Sequence, residues 1–210
     1  MHNYAQTSHR IPRISGESKK TPLMIDYREL INKYYADAPE LKNILLAHSM
    51  QVRDRALSIV DAHPDWTAGG EVNRDFVEEA AMLHDIGIIY CNAPKIFCNG
   101  THQYIEHGYL GAELLRKEGL PKHALVAERH TGTGITMEQV MREELPIPVR
   151  NYCPVSLEEK IVCYADKFYS KGHIGETVAL SKIRQQIWKY GHDAILRWDN
   201  LVTLMDEKLQ

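Results

Sequence analysis

Residues 80–87 read AAMLHDIG, an apolar helical stretch that runs into His84-Asp85 and stops at Gly87. A carboxylate set against an apolar stripe is costly unless it is paired or bound to a cation. Neighbouring helical residues point about 100° apart, but at a fraying helix end both side chains can turn onto one ion. The dipeptide alone means little. His192-Asp193 repeats it after Gly191, at the start of the last helix, where Asp193 makes a good N-cap; that pair is read as structural. The first pair differs in its company. His48 lies on the apolar stripe of a long helix with Leu41, Ile44, Leu45, Val52, Ala56 and Ile59. His107 shares a stripe with Leu110, Gly111, Leu114 and Leu115, His130 follows Val126 and Ala127, and Asp166 sits beside Val162 and Ala165. A single histidine on an apolar face is more often a satisfied core residue than a ligand. Three of them with an HD pair and an inward aspartate are hard to bury without a shared cation. Inward histidines and carboxylates from separate helices are how helical bundles build dinuclear centres.

The rest of the chain fits a helical frame. Helices are expected at Asp26–Tyr35, Pro39–Ala62, from an Asp75/Glu78 capping box to His84, Tyr104–Glu118, Pro121 to about Thr131, Thr136–Glu144, from a Ser156/Glu159 capping box through Phe168, Ser181–Tyr190 and Asp193–Leu209. Residues 88–103 carry Pro, Gly and Asn and read as an irregular loop. No run of alternating β-branched residues predicts a substantial sheet, so the class is all-α: one domain over 23–210, with a core at 40–171 and additional C-terminal helices at 176–210. Residues 1–22 are polar, contain Pro12 and Gly16, and read as a flexible arm without the apolar segment of a secretory signal.

The net charge of −3 gives no reason to expect a nucleic-acid polymer or a membrane surface as partner. No apolar run approaches the roughly 20 residues that span a bilayer. Cys91, Cys98, Cys153 and Cys163 form no CxxC pair and read as reduced thiols of a cytoplasmic protein. Trp188, Tyr190 and Trp198 read as core or as contact with a second copy in a homodimer.

The order His48, His84-Asp85, Asp166 resembles the H…HD…D signature of the HD-domain metal phosphohydrolases, and HDIG at 84–87 is typical of that superfamily. His107 and His130 are similar to the extra histidines of its two-metal members. Those members include HD-type diadenosine tetraphosphate hydrolases, cyclic-dinucleotide phosphodiesterases and di-iron oxygenases. The strings HGYLGAELL (107–115), ERHTGTGIT (128–136) and LEEKIVCYADK (157–167) strengthen the likeness, which covers about residues 40–171. The resemblance implies an HD-domain helical bundle. It implies a first metal on His48, His84, Asp85 and Asp166, and a second completed by His107 and His130, with Asp85 bridging. Four imidazoles favour two divalent transition metals, Fe or Mn first, with Zn, Co and Ni compatible, over Mg. The implied reaction is hydrolysis of a phosphoester or phosphoanhydride in a small phosphorylated substrate such as a nucleotide, by a metal-bridged hydroxide. A di-iron oxygenase on the same ligands is the alternative, and a non-catalytic binding module is a third.

One departure matters. Many relatives carry Lys or Arg directly after HDIG, where it contacts phosphate; this chain has Ile88. Lys95, Arg129 and Lys167 are the substitute candidates for substrate binding, though such residues are more often solvated charges or surface ion pairs. Asp85, Lys167 and His102, the last in the loop bordering the site, are the catalytic candidates.

Overall fold

The structure is a computed structural model and describes residues 25–205. The proposed arm at 1–22 and the end of the last helix fall outside the described residues. Ten α-helices are present among them: α1 (Tyr27–Tyr34), α2 (Pro39–Ala62), α3 (Pro64–Ala68), α4 (Arg74–Leu83), α5 (His107–Lys117), α6 (Pro121–Arg129), α7 (Met137–Arg142), α8 (Leu157–Asp166), α9 (Leu180–Ile187) and α10 (His192–Leu204). The 88–103 segment is more ordered than its composition suggests. It begins in a 3₁₀ turn at Ile86–Tyr90 and folds into a two-residue hairpin, β1 (Asn92–Ala93) against β2 (Cys98–Asn99). These are the described strands, so the all-helical class holds.

Local signals set most helix boundaries. Pro39, Pro64 and Pro121 occupy first turns, where the missing N–H has no intrahelical acceptor to lose. Ser156 caps α8 by accepting the Glu159 N–H at 3.2 Å. Glu159 does not complete the box; its carboxylate accepts the Val155 N–H and pairs with Arg129. Two expected caps are corrected. The start of α4 is capped by Asn73, which accepts the Phe76 N–H, and not by Asp75. Gly191 is the N-cap of α10, leaving Asp193 in the first turn, where its charge still opposes the helix dipole. An exposed His192-Asp193 at a helix start is consistent with the structural reading of that pair.

Two large apolar clusters make the core. One gathers α1, the first half of α2, the end of α4, α5 and part of α6, through residues such as Leu41, Leu45, Leu83, Ile86 and Leu115. The other gathers the second half of α2, the start of α4, α8 and the C-terminal helices, through Val52, Ala56, Val77, Ile161 and Trp198. Helix α2 feeds both, and His48 falls in the step between Leu45 and Val52. Helix α4 does the same, and His84-Asp85 ends it. Trp198 is fully buried and stacks on Tyr164 with ring centroids 5.0 Å apart. Trp188 is 66% exposed and Tyr190 48%, so neither is core. Among the described residues no helix is long and apolar enough to cross a membrane.

Candidate metal centre

Three of the four cluster histidines sit at helix ends, and that fixes their chemistry. His84 follows α4, His130 follows α6 and His107 opens α5. Each points Nδ1 at the carbonyl three residues back: His84 at Ala81 (2.7 Å), His107 at Tyr104 (2.6 Å) and His130 at Ala127 (2.8 Å). Ala81 and Ala127 lie in the last turns of α4 and α6, where carbonyls lack intrahelical partners and are available to accept Nδ1–H; the Tyr104 carbonyl, in the 3₁₀ turn before α5, accepts the His107 backbone N–H as well. In the neutral ring the bond selects the tautomer whose Nε2 lone pair is free, and in either state it holds the ring in place.

All these Nε2 atoms converge on Asp85, whose two oxygens face different neighbours. Oδ2 lies 3.1 Å from Nε2 of His48 and 3.1 Å from Nε2 of His84. Oδ1 lies 3.4 Å from Nε2 of His107 and 3.3 Å from that of His130. Asp166 Oδ1 adds itself to the first group, 3.0 Å from His48 Nε2. The donor atoms of His48, His84, Asp85 and Asp166 lie within 4.8 Å of one another, as do those of Asp85, His107 and His130. His48, His84 and Asp85 are completely buried. Even so, His84 Nε2 and Asp85 Oδ1 have no hydrogen-bond partner, and Asp85 Oδ2 is met by ion-pair contacts alone, the Lys171 ammonium among them. Buried polar atoms left unbonded are expensive. Two overlapping donor sets with orphaned lone pairs fit divalent ions.

The charges fit as well. Burial opposes ionisation of Asp85, but Lys171 and His84 reverse this and hold its carboxyl well below the usual range. Asp166 is held low in the same way by Lys167 and the histidines. Burial alone would lower His84, but Asp85 and Asp166 raise it to about 9. Burial lowers His107 to about 3 and also lowers His130. In the metal-free protein His84 therefore carries a proton near neutral pH, and a ligating imidazole must give it up. Uptake of Mn(II) near neutral pH should release a proton, with affinity rising with pH and levelling above about pH 9. Calorimetric titrations in buffers of different ionisation enthalpy check this; uptake without proton release contradicts it.

The loop candidates stand apart from the cluster. Lys95 is exposed beside the hairpin. Arg129 is paired with Glu159 at 3.0 Å. His102, its side chain 46% exposed, pairs with Glu106 at 3.0 Å. Lys167 does reach the centre, 2.5 Å from Asp166 Oδ2. One residue was missed altogether. Lys171, in the turn after α8, puts its ammonium against Asp85 Oδ2. The only sequence signal was its position five residues beyond Asp166.

The HD domain family model matches residues 45–170. An uncharacterized protein of Methanocaldococcus jannaschii is 35% identical over 173 residues, 80% of this chain and 91% of that protein. A tRNA (cytidine(56)-2'-O)-methyltransferase of Picrophilus torridus is 32% identical over 74% of this chain, which spans 39% of that longer protein. The HD domain of the L. monocytogenes phosphodiesterase PgpH superposes with a TM-score of 0.48 and 20% identity, covering 84% of this chain and 97% of that one. With the family model matching more than half of its length, the chain belongs to the HD-domain family.

Proposed function

We propose that this chain is a metal-dependent phosphohydrolase that cleaves a phosphoester or phosphoanhydride bond in a nucleotide or another small phosphorylated metabolite. One observation carries the reading: the two oxygens of a single buried carboxylate face two separate sets of nitrogen donors. His48, His84, Asp85 and Asp166 would hold one ion, and His107 and His130 would hold a second with Asp85 between them. Imidazole-rich sets of this kind favour Fe or Mn, with Zn, Co and Ni compatible. Such ions supply an activated water near neutral pH and neutralise charge on phosphoryl oxygens.

The chain's own residues do the positioning. Backbone carbonyls three residues back lock three imidazoles with Nε2 forward. Lys167 holds the outer oxygen of Asp166, so that Oδ1 stays turned to His48. Burial keeps bulk water from the donors and strengthens every charge interaction among them.

The deciding experiment is metal content and iron valence on anaerobically purified protein, followed by a screen of nucleotides and simple phosphoesters with Fe, Mn, Co or Ni. Two metals per chain and phosphate release that stops on chelation are expected. A mixed-valent di-iron signal with oxygen uptake and no phosphate release would replace this reading with the oxygenase. A metal-loaded protein that turns over no phosphoester would replace it with a binding module.

A further inference from the structure

A cavity of about 540 Å³ lies against the metal centre, with Asp166, Lys167 and Lys171 at one side and α9 at the other. Its volume falls in the range of roughly 300–1,000 Å³ usual for small-molecule sites. Ile88, which follows HDIG, cannot serve it. Its side chain is fully buried in the α1–α6 apolar cluster, and the turn carrying it is pinned by Tyr35, whose hydroxyl donates to the Ile86 carbonyl and accepts the Ile89 N–H.

Two ammonium groups border both centre and cavity, and they differ in what they are bonded to. Lys167 pairs with Asp166 Oδ2, the oxygen turned away from His48, so metal loading leaves that pair in place. Lys171 pairs with Asp85 Oδ2, which faces His48 and His84. An ion taking that oxygen leaves the Lys171 ammonium directed at the cavity. Its stem is held there, with the side chain 12% exposed and Nζ 5.9 Å from the centre of the Tyr104 ring. Without metal, Asp85 and Asp166 are already offset by Lys167 and Lys171, so bound divalent ions leave the loaded site positive even after the His84 proton is lost, and it attracts anions.

The far side of the cavity is built differently. Ile183 and Ile187 back this wall from the core, Gln186 offers an exposed amide, and Tyr190 a half-exposed ring with the Lys189 ammonium 4.8 Å from its centre. An exposed aromatic ring beside a hydrogen-bonding amide suits an aromatic heterocycle. We propose, resting on the hydrolase reading above, that Lys171 takes over the phosphate-holding role that position 88 does not supply, and that Gln186 of α9 and Tyr190 of the turn after it receive the base of a nucleoside phosphate.

The test measures binding on the metal-loaded full chain, so it stands whether or not hydrolysis is found. Inorganic phosphate, ribose 5-phosphate and adenosine monophosphate are titrated calorimetrically into the wild type and into K171M, K171R, K95A, R129A and Y190A. K171M keeps the aliphatic stem, and metal content is measured for each variant. A charge-assisted hydrogen bond is worth about tenfold or more in affinity. K171M should weaken phosphate by about that factor with metal content unchanged, and K171R should recover most of the loss. Adenosine monophosphate should bind about tenfold tighter than ribose 5-phosphate, and Y190A should erase that difference without touching phosphate affinity. Unchanged phosphate affinity in K171M, or loss only in K95A or R129A, overturns the assignment of Lys171. Loss of metal in K171M in step with phosphate also overturns it, by making the lysine a support of the metal centre. Equal affinity for the two organic phosphates overturns the base-binding role of Gln186 and Tyr190. Absence of turnover in a wild type that shows the expected affinities fails the hydrolase reading alone.

Discussion

Asp85→Ala should empty both metal positions and abolish metal-dependent phosphate release. Among the described residues no other side chain offers an oxygen to both donor sets. The first set would keep His48, His84 and Asp166; the second would keep only His107 and His130, with no carboxylate to offset an ion's charge. The substitution also strands a cation. Lys171 is largely buried against Asp85, and removing one member of a buried pair costs about 3–5 kcal/mol. Metal-free Asp85→Ala should therefore melt well below the wild type, whereas His130→Ala, which removes no charge of opposite sign, should not. His130→Ala should retain one metal per chain, because the first donor set does not include it. Metal content and thermal melts on the three proteins check both statements. Full metal content in Asp85→Ala would refute the bridging assignment, and loss of both metals in His130→Ala would refute the independence of the two positions.

The helical frame could be read from the chain because apolar spacing and prolines act locally. Pro39 and Pro121 begin helices where expected, and the α2 stripe holds without a break across His48. The six donors could be listed from their order and their apolar surroundings, and folding brings all six together. What stayed hidden was set by tertiary contact. Asn73 outcompetes Asp75 as a cap because an N-cap position depends on where the preceding chain enters, which a capping-box pattern does not record. Trp188 looks like a core residue in sequence, yet it points outward because α9 ends one turn before the α10 entrance and the burial falls to Ile183, Ile187 and Trp198. Arg129, adjacent to a ligand, is drawn to Glu159 on a neighbouring helix, thirty positions away. Lys171 is the converse case: nothing in the string YSKG marks it, and only the turn after α8 returns its ammonium to Asp85.

The backbone that follows the HD pair is packed directly against α5, and Gly87 is where a change should be most visible. A Cβ at Gly87 would lie 2.1 Å from the His107 carbonyl oxygen, 2.4 Å from the Gly111 nitrogen and 2.8 Å from the Gly111 Cα. All three are backbone atoms, so no side-chain rotation relieves the clash; the turn after HD must separate from α5. Overpacking a tight contact costs typically 1–3 kcal/mol, and contact with rigid backbone belongs at or beyond the upper end. For a chain of this size about 3 kcal/mol lowers Tm by roughly 6–12 °C. Gly119→Ala is the matched control: its φ of 77° is left-handed but no atom lies within 4 Å, so only the conformational penalty of about 1 kcal/mol applies. The separation should also have a chemical signature. His107 is the first residue of α5, so displacing that helix pulls Nε2 away from Asp85 Oδ1, while His48, His84 and Asp166 come from α2, α4 and α8. Gly87→Ala should therefore hold its first metal more firmly than its second, giving a protein near one ion per chain at metal concentrations that fill both positions in the wild type. A Gly87→Ala variant as stable as Gly119→Ala and loaded with two ions would show that the turn and α5 can part without consequence, and the close approach of these backbones would lose its role in building the centre.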